Sequence, residues 1–316
     1  MANLHRPLMA VAAVMLLCAL ASVAGLVFDG RVINGAPAWA KPFKFSVSIA
    51  VYCATMAVLY SRLSAWKRTA WWTGTVIAAA LVVEQVAILG QMLRGTTSHF
   101  NQSTPFDAFV WNTMAFTIMV LWAATFMIGV LLWRHPIGDR ALTWSIRLAM
   151  AIGLVGLGLG ALMPVPTPEQ RQSNAEDFVG AHSVGVVDGG PGLPILGWST
   201  TGGDLRIAHF VGMHALQFLP LFAIGLVLLA RRRPRLADEA TRMRAVFVAA
   251  AAYAGLTGLV LWQALRGEPL IYPTAPTLIA VGALAALTVV MAMVVVAAAP
   301  RPASAEKTET PEKVPG

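Results

Sequence analysis

The feature that most constrains this chain is a succession of eight apolar runs, at residues 7–28, 43–61, 71–93, 109–133, 142–163, 208–230, 245–265 and 277–299. A bilayer core about 30 Å thick is crossed by about 20 helical residues, at a rise of about 1.5 Å each. Each run is close to that length, so the sequence predicts an all-α fold, a polytopic membrane bundle of about eight transmembrane helices. Composition agrees: 57% of the residues are apolar and 12% charged, against about 25% charged in soluble domains. Cys18 and Cys53 both lie inside apolar runs, which excludes a disulfide framework or a Cys-rich zinc site. Tyr60, Trp71, Trp72, Trp133 and Trp144 fall at run ends, as interfacial aromatic belts do. In the fifth run Gly156-x-x-x-Gly160 predicts a close helix contact within the chain, in preference to dimerisation.

Sidedness follows from Lys and Arg. With the N-terminus inside, 16 of the 23 fall in cytoplasmic segments and 7 in outer ones. The positive-inside rule therefore predicts both termini in the cytoplasm and a long extracytoplasmic loop, 164–207, between the fifth and sixth helices. The net charge of +8 is accounted for by this topology, so no nucleic-acid partner is expected. Residues 1–300 read as one helix-bundle domain, and the Pro-, Glu- and Lys-rich stretch 301–316 as a disordered cytoplasmic tail. Arg6, the apolar stretch and Ala21, Ser22, Val23 and Ala24 also have the order of a secretory signal, although the run exceeds a usual h-region. Its removal would leave seven spans with unchanged sidedness.

The polar residues gather on the outer side. One outer loop runs from Arg94 to Asp107 through Ser98 and His99. The 164–207 loop carries Glu169, Glu176, Asp177, His182, Asp188, Asp204 and Arg206 among many Gly and Pro. A connection this long is usually functional or disordered. Its short apolar patch Leu193–Trp198 is expected to dip onto or into the bundle as a lid. Ionisable residues within spans are costly and by default functional. Glu84 is one, in the third span, with Gln91 on the same helical face. His209, His214 and Gln217 lie in the sixth span, Asn112 opens the fourth and Lys44 the second. A candidate outer pocket therefore comprises Glu84, Gln91, His99, Asn112, His182, Arg206, His209, His214 and Gln217.

Each has an ordinary alternative. His209 and His214 are five residues apart, about 140° around a helix, so they lack the two-His spacing of H-E-x-x-H. A metal would need His99 or His182 beside one of them; otherwise each imidazole serves as an interhelical hydrogen bond. Glu84 reads equally as a proton carrier, a metal ligand or a structural acid. Asp188-Gly-Gly-Pro-Gly192 lacks the context of a phosphate loop and reads as a turn cluster. Asp204 and Asp107 read as helix caps.

Three stretches, Asn34–Phe45, Thr97–Asp107 and Gly180–Pro220, together resemble a family of bacterial multipass membrane proteins of uncharacterised activity. The resemblance implies a bacterial cytoplasmic membrane and carries no chemistry with it. The H-x-x-x-H spacing of ceramidase-like membrane hydrolases is missing, as are the facing His pairs of a b-type cytochrome. No motif indicates a cofactor, and the sequence leaves metal and haem open. Three functional classes follow. The first is a polar ligand, metal or catalytic pocket opening outward. The second is an accessory or assembly subunit without chemistry of its own, and the third a proton-coupled small-molecule transporter. The bilayer is the one partner the sequence names; whether the protein is an enzyme it does not say.

Overall fold

A computed structural model describes residues 4–173 and 177–300. Glu176 and the stretch 301–316, expected to be a tail, lie outside the described residues. Helices α1 (Arg6–Phe28), α2 (Ala40–Ser61), α3 (Lys67–Leu93), α4 (Pro105–Arg134) and α5 (Arg140–Leu159) follow the first five runs. A short helix α6 (Pro168–Ser173) interrupts the long loop. Then come α7 (Leu205–Met213), α8 (Ala215–Ala230), α9 (Glu239–Leu265) and α10 (Ala275–Ala297). Among the described residues strand pairing amounts to two short antiparallel pairs, β1 (Val32–Ile33) with β2 (Ala36–Pro37) and β3 (Ser183–Val184) with β4 (Gly203–Asp204), and the bridges Asn101–Phe178 and Gly192–Ser199.

The helices begin where capping chemistry lets them. Thr104 caps α4 by accepting from the Asp107 N–H, with Pro105 in the first turn. Pro is preorganised there because its missing N–H has no helical partner to lose. Asp139, Asp204 and Asp238 cap α5, α7 and α9 through their carboxylates, each placing negative charge at a helix N-terminus. The helices α2, α3, α4 and α9 start three to six residues before their apolar runs. Their polar first turns remain helical as they leave the hydrocarbon.

Helix α1 packs on α2, α3 on α4, and α5 against α7, α8 and α9. The larger core lies among α1–α5, where Leu8, Cys53, Met56, Ile77 and Ile128 are fully buried. Helix α10 packs on α9 and shows apolar side chains to its surroundings, with Ile279 72% and Leu287 61% exposed. So much apolar surface has no place in water, and it suits a lipid boundary. Among the described residues seven helices are long and apolar enough to cross a membrane, or eight when α7 and α8 count as one span. This is an all-α multipass membrane bundle.

The sixth run is not one straight helix as expected. Helices α7 and α8 meet at His214 with a bend of 41°. The Tyr253 hydroxyl on α9 donates to the Val211 carbonyl in the last turn of α7 at 2.7 Å. A side chain bonded to the ladder is a recognised cause of such breaks. The glycines of the fifth run do pack within the chain. A Cβ on Gly156 would strike the Gly212 backbone, so α5 and α7 meet without side chains between them.

The connections at the α3 C-terminal end are knitted together. Val179 N–H donates to the Phe100 carbonyl at 3.0 Å, and Ala181 N–H to that of Met163 at 2.9 Å. Gly35 (φ 72°) abuts Gly189 (φ 92°), where both the positive φ and the close approach require glycine. The patch Leu193–Trp198 does not enter the bundle. It lies across this end as a strap, with Ile195 66% exposed and Trp198 edge-on to Phe210 at 5.8 Å.

Candidate functional site

Glu84 projects from α3 beneath this knitted end, 2% exposed. Its Oε1 lies 3.6 Å from the His99 Nε2, beyond hydrogen-bond length. Its Oε2 has no hydrogen-bond partner among the described residues. His99 sits in an aromatic cage: Phe45 meets it edge-on at 5.7 Å, Trp111 lies at 5.5 Å, and the His182 ring stacks on it at 6.4 Å. The cage forms because α2, α4 and the 164–207 loop each supply one ring. Burial holds the His99 pKa well below 6.5, and the charges of Lys41 and His182 push it the same way.

Asp188 orients the second imidazole. Its Oδ2 contacts the His182 Nδ1 at 2.7 Å, and the carboxylate accepts the His182 and Ser183 backbone N–H groups at 2.9 and 2.8 Å. Burial pushes the Asp188 pKa up, but the hydrogen bond and charge of His182 outweigh it and hold the carboxyl well below 3.8. Burial likewise lowers His182, with Asp188 opposing. Glu84, His99, His182 and Asp188 thus form a line from within the bundle to the loop above it.

Three cations border that line. Lys41, in the first turn of α2, is coupled electrostatically to Glu84, Lys44, Arg206 and Asp188. Among the described residues it makes no ion pair, and its ammonium lies 6.0 Å over the Phe45 ring. Lys44 donates to the Leu196 carbonyl at 2.6 Å. Arg206 pairs with Asp204 at 2.5 Å and donates to the Gly197 carbonyl at 2.6 Å.

The residues expected in one pocket therefore separate. Glu84, His99 and His182 come together, with Arg206 at their margin. Gln91 joins a different network, donating to Asp107 at 2.8 Å, with Arg94 bonded to both. Asn112 is exposed on the outer face of α4. His209 bonds the Gly156 carbonyl at 2.9 Å and packs over Gly160. His214 contacts Gln217 at 3.0 Å, and Gln217 reaches Thr55 of α2. Among the described residues no three His, Cys, Asp or Glu side chains converge as a metal set. The four histidines considered as ligands are split between three places, because the bend at His214 and the glycine contacts of α5 turn His209 and His214 to other neighbours.

Lys41 and Asp188 are the members that sequence reasoning missed. The spacing Lys41-x-x-Lys44 places both on one face of the first turn of α2, which was a usable signal. The role of Asp188 depends on the loop folding back on itself, and nothing local announces that. Comparison with family models, with curated proteins and with solved structures gave no match.

Proposed function

We propose that this multipass membrane protein carries an acid–base site at its extracytoplasmic end, in which Glu84 and His99 exchange a proton. The loops at the opposite end hold most of the Lys and Arg, which favours placing that end in the cytoplasm. The resemblance of three of its stretches to bacterial multipass proteins favours the bacterial cytoplasmic membrane. Glu84 is the group within the span, His99 the relay beside it, and His182, oriented by Asp188, the outer member under the loop. Lys41 balances charge along the line.

The observation that carries the reading is the Glu84 carboxylate: buried, facing an imidazole at 3.6 Å, with its second oxygen unpartnered among the described residues. Carboxylates at such depth are expensive and tend to mark proton or ion pathways. A purely structural acid would be expected to have both oxygens satisfied. Infrared spectroscopy of the protein in lipid nanodiscs, titrated between about pH 5 and about pH 9, tests this. A carboxylic C=O band should appear and vanish with pH, be absent in Glu84→Gln, and titrate at a different pH in His99→Gln. A carboxyl band that neither substitution alters overturns the reading.

A further inference from the structure

At the end of the bundle away from Glu84, the α8–α9 connection and the last turns of α10 border an open groove. Arg235, Val289, Ala292, Met293, Val296 and Ala297 line it. Its floor is apolar and belongs to α10, the helix most exposed to lipid; Val289, Met293 and Val296 are 56%, 57% and 46% exposed. Arg235 is exposed at its edge, beside Arg231, Arg232 and Arg233.

None of those four arginines forms an ion pair among the described residues, whereas Arg242, in the first turn of α9, is held by Asp139 at 3.0 Å. The neighbouring acids are already engaged: Asp238 accepts from Thr241, and Glu239 from the Arg140 N–H. An apolar trough at a membrane boundary, ending in unpaired guanidinium groups, matches an amphiphile with an anionic head. Guanidinium binds phosphate through paired hydrogen bonds, and basic pockets between helices near the cytoplasmic surface take anionic headgroups.

We propose that this groove binds an anionic phospholipid. One acyl chain lies along Val289, Met293 and Val296, and the phosphate sits on Arg235, with Arg231–Arg233 adding attraction. This is independent of the acid–base site.

Native mass spectrometry tests it on the full-length protein, released from micelles holding equal phosphatidylglycerol and phosphatidylcholine. The wild-type chain should retain phosphatidylglycerol preferentially. Arg235→Gln should lower that retention about tenfold, the loss of one charge-assisted bond to the phosphate. Ala292→Trp, which fills the groove, should lower it as well, while Arg62→Gln, an exposed arginine of the same end outside the groove, should not. Equal loss in Arg62→Gln would mean diffuse attraction and overturn the proposal. So would equal retention of both lipids by the wild type, the result expected if residues 301–316, with Glu306, Glu309 and Glu312, cover the groove instead.

Discussion

Lys44 and Arg206 donate to consecutive carbonyls, those of Leu196 and Gly197, each at 2.6 Å. The two cations belong to the first turns of α2 and α7, so a single stretch of loop is latched to two helices at once. Arg206 is itself fixed by Asp204, which is 1% exposed and also caps α7. The strap over Glu84, His99 and His182 is therefore held by charge-assisted bonds more than by apolar packing.

Removing one latch should loosen the strap without unfolding the bundle. A hydrogen bond to a charged group is worth about 1.5–3 kcal/mol, and partial exposure brings Lys44→Met to about 1 kcal/mol. Arg206→Met should cost more, about 2–3 kcal/mol, because it leaves Asp204 buried without its partner. Hydrogen exchange across residues 193–200 should accelerate accordingly, by roughly fivefold for Lys44→Met and more for Arg206→Met. Unchanged exchange in both variants would mean that the strap is held elsewhere.

Gly156 gives a prediction with an internal control. A Cβ there meets the Gly212 backbone, which cannot move aside as a flexible side chain does. Gly156→Val should destabilise the bundle by at least about 2 kcal/mol. Gly225 on α8 has nothing within 4 Å of its would-be Cβ, so Gly225→Ala should be neutral or stabilising by about 0.5–1 kcal/mol. Thermal unfolding of both variants in one detergent separates the outcomes. Equal shifts would deny the close α5–α7 contact.

The acid sensitivity of the loops that carry His99 and His182 follows from those two imidazoles. Burial lowers both below 6.5, so between their folded values and 6.5 the unfolded chain binds more protons than the folded one. Stability then rises with pH: the contribution is complete above 6.5 and is lost as pH falls below it. Asp188, also lowered, acts in the same direction at more acid pH, below 3.8. Protection of the 94–104 and 177–204 loops in hydrogen exchange should therefore fall from about pH 7.5 to about pH 5. His99→Phe, which keeps a ring in the cage, should flatten that dependence. A slope of opposite sign would mean that the imidazoles are charged in the folded state.

The apolar runs made the fold legible, because the length of a span and the placement of Lys and Arg are properties of the chain alone. So was the proximity of Glu84 to His99: the helical face bearing Glu84 and Gln91 points toward the loop that follows. The site was less legible where it depended on irregular backbone. His214 reads as a helical residue until the Tyr253 hydroxyl, from another span, bonds the Val211 carbonyl. Asp188 reads as a turn residue until its carboxylate folds back on His182. Gln91 is drawn from the site by Asp107, which reads in the sequence as the cap of α4; the cap is Thr104, and Asp107, three residues on, is the centre of a buried network.

The bend at His214 is tied across the bundle by a chain of hydrogen bonds whose direction can be worked out. The Thr55 hydroxyl donates to the Val51 carbonyl, so toward Gln217 it acts as acceptor, at 3.0 Å from Nε2. That leaves the Gln217 Oε1 to accept from His214 Nδ1 at 3.0 Å, which puts the imidazole hydrogen on Nδ1. The His214 Nε2 is buried without a partner among the described residues. Interhelical side-chain bonds in membrane proteins couple by about 0.6 kcal/mol on average and at most about 1.7 kcal/mol. A double-mutant cycle of Thr55→Val and Gln217→Leu should return a coupling in that range. Nitrogen chemical shifts of labelled histidine should show the Nδ1–H form in the wild type and its loss in Gln217→Leu. If the two substitutions add within about 0.3 kcal/mol and the imidazole signal is unchanged, the bend is set by α7, α8 and Tyr253 alone, with α2 uninvolved.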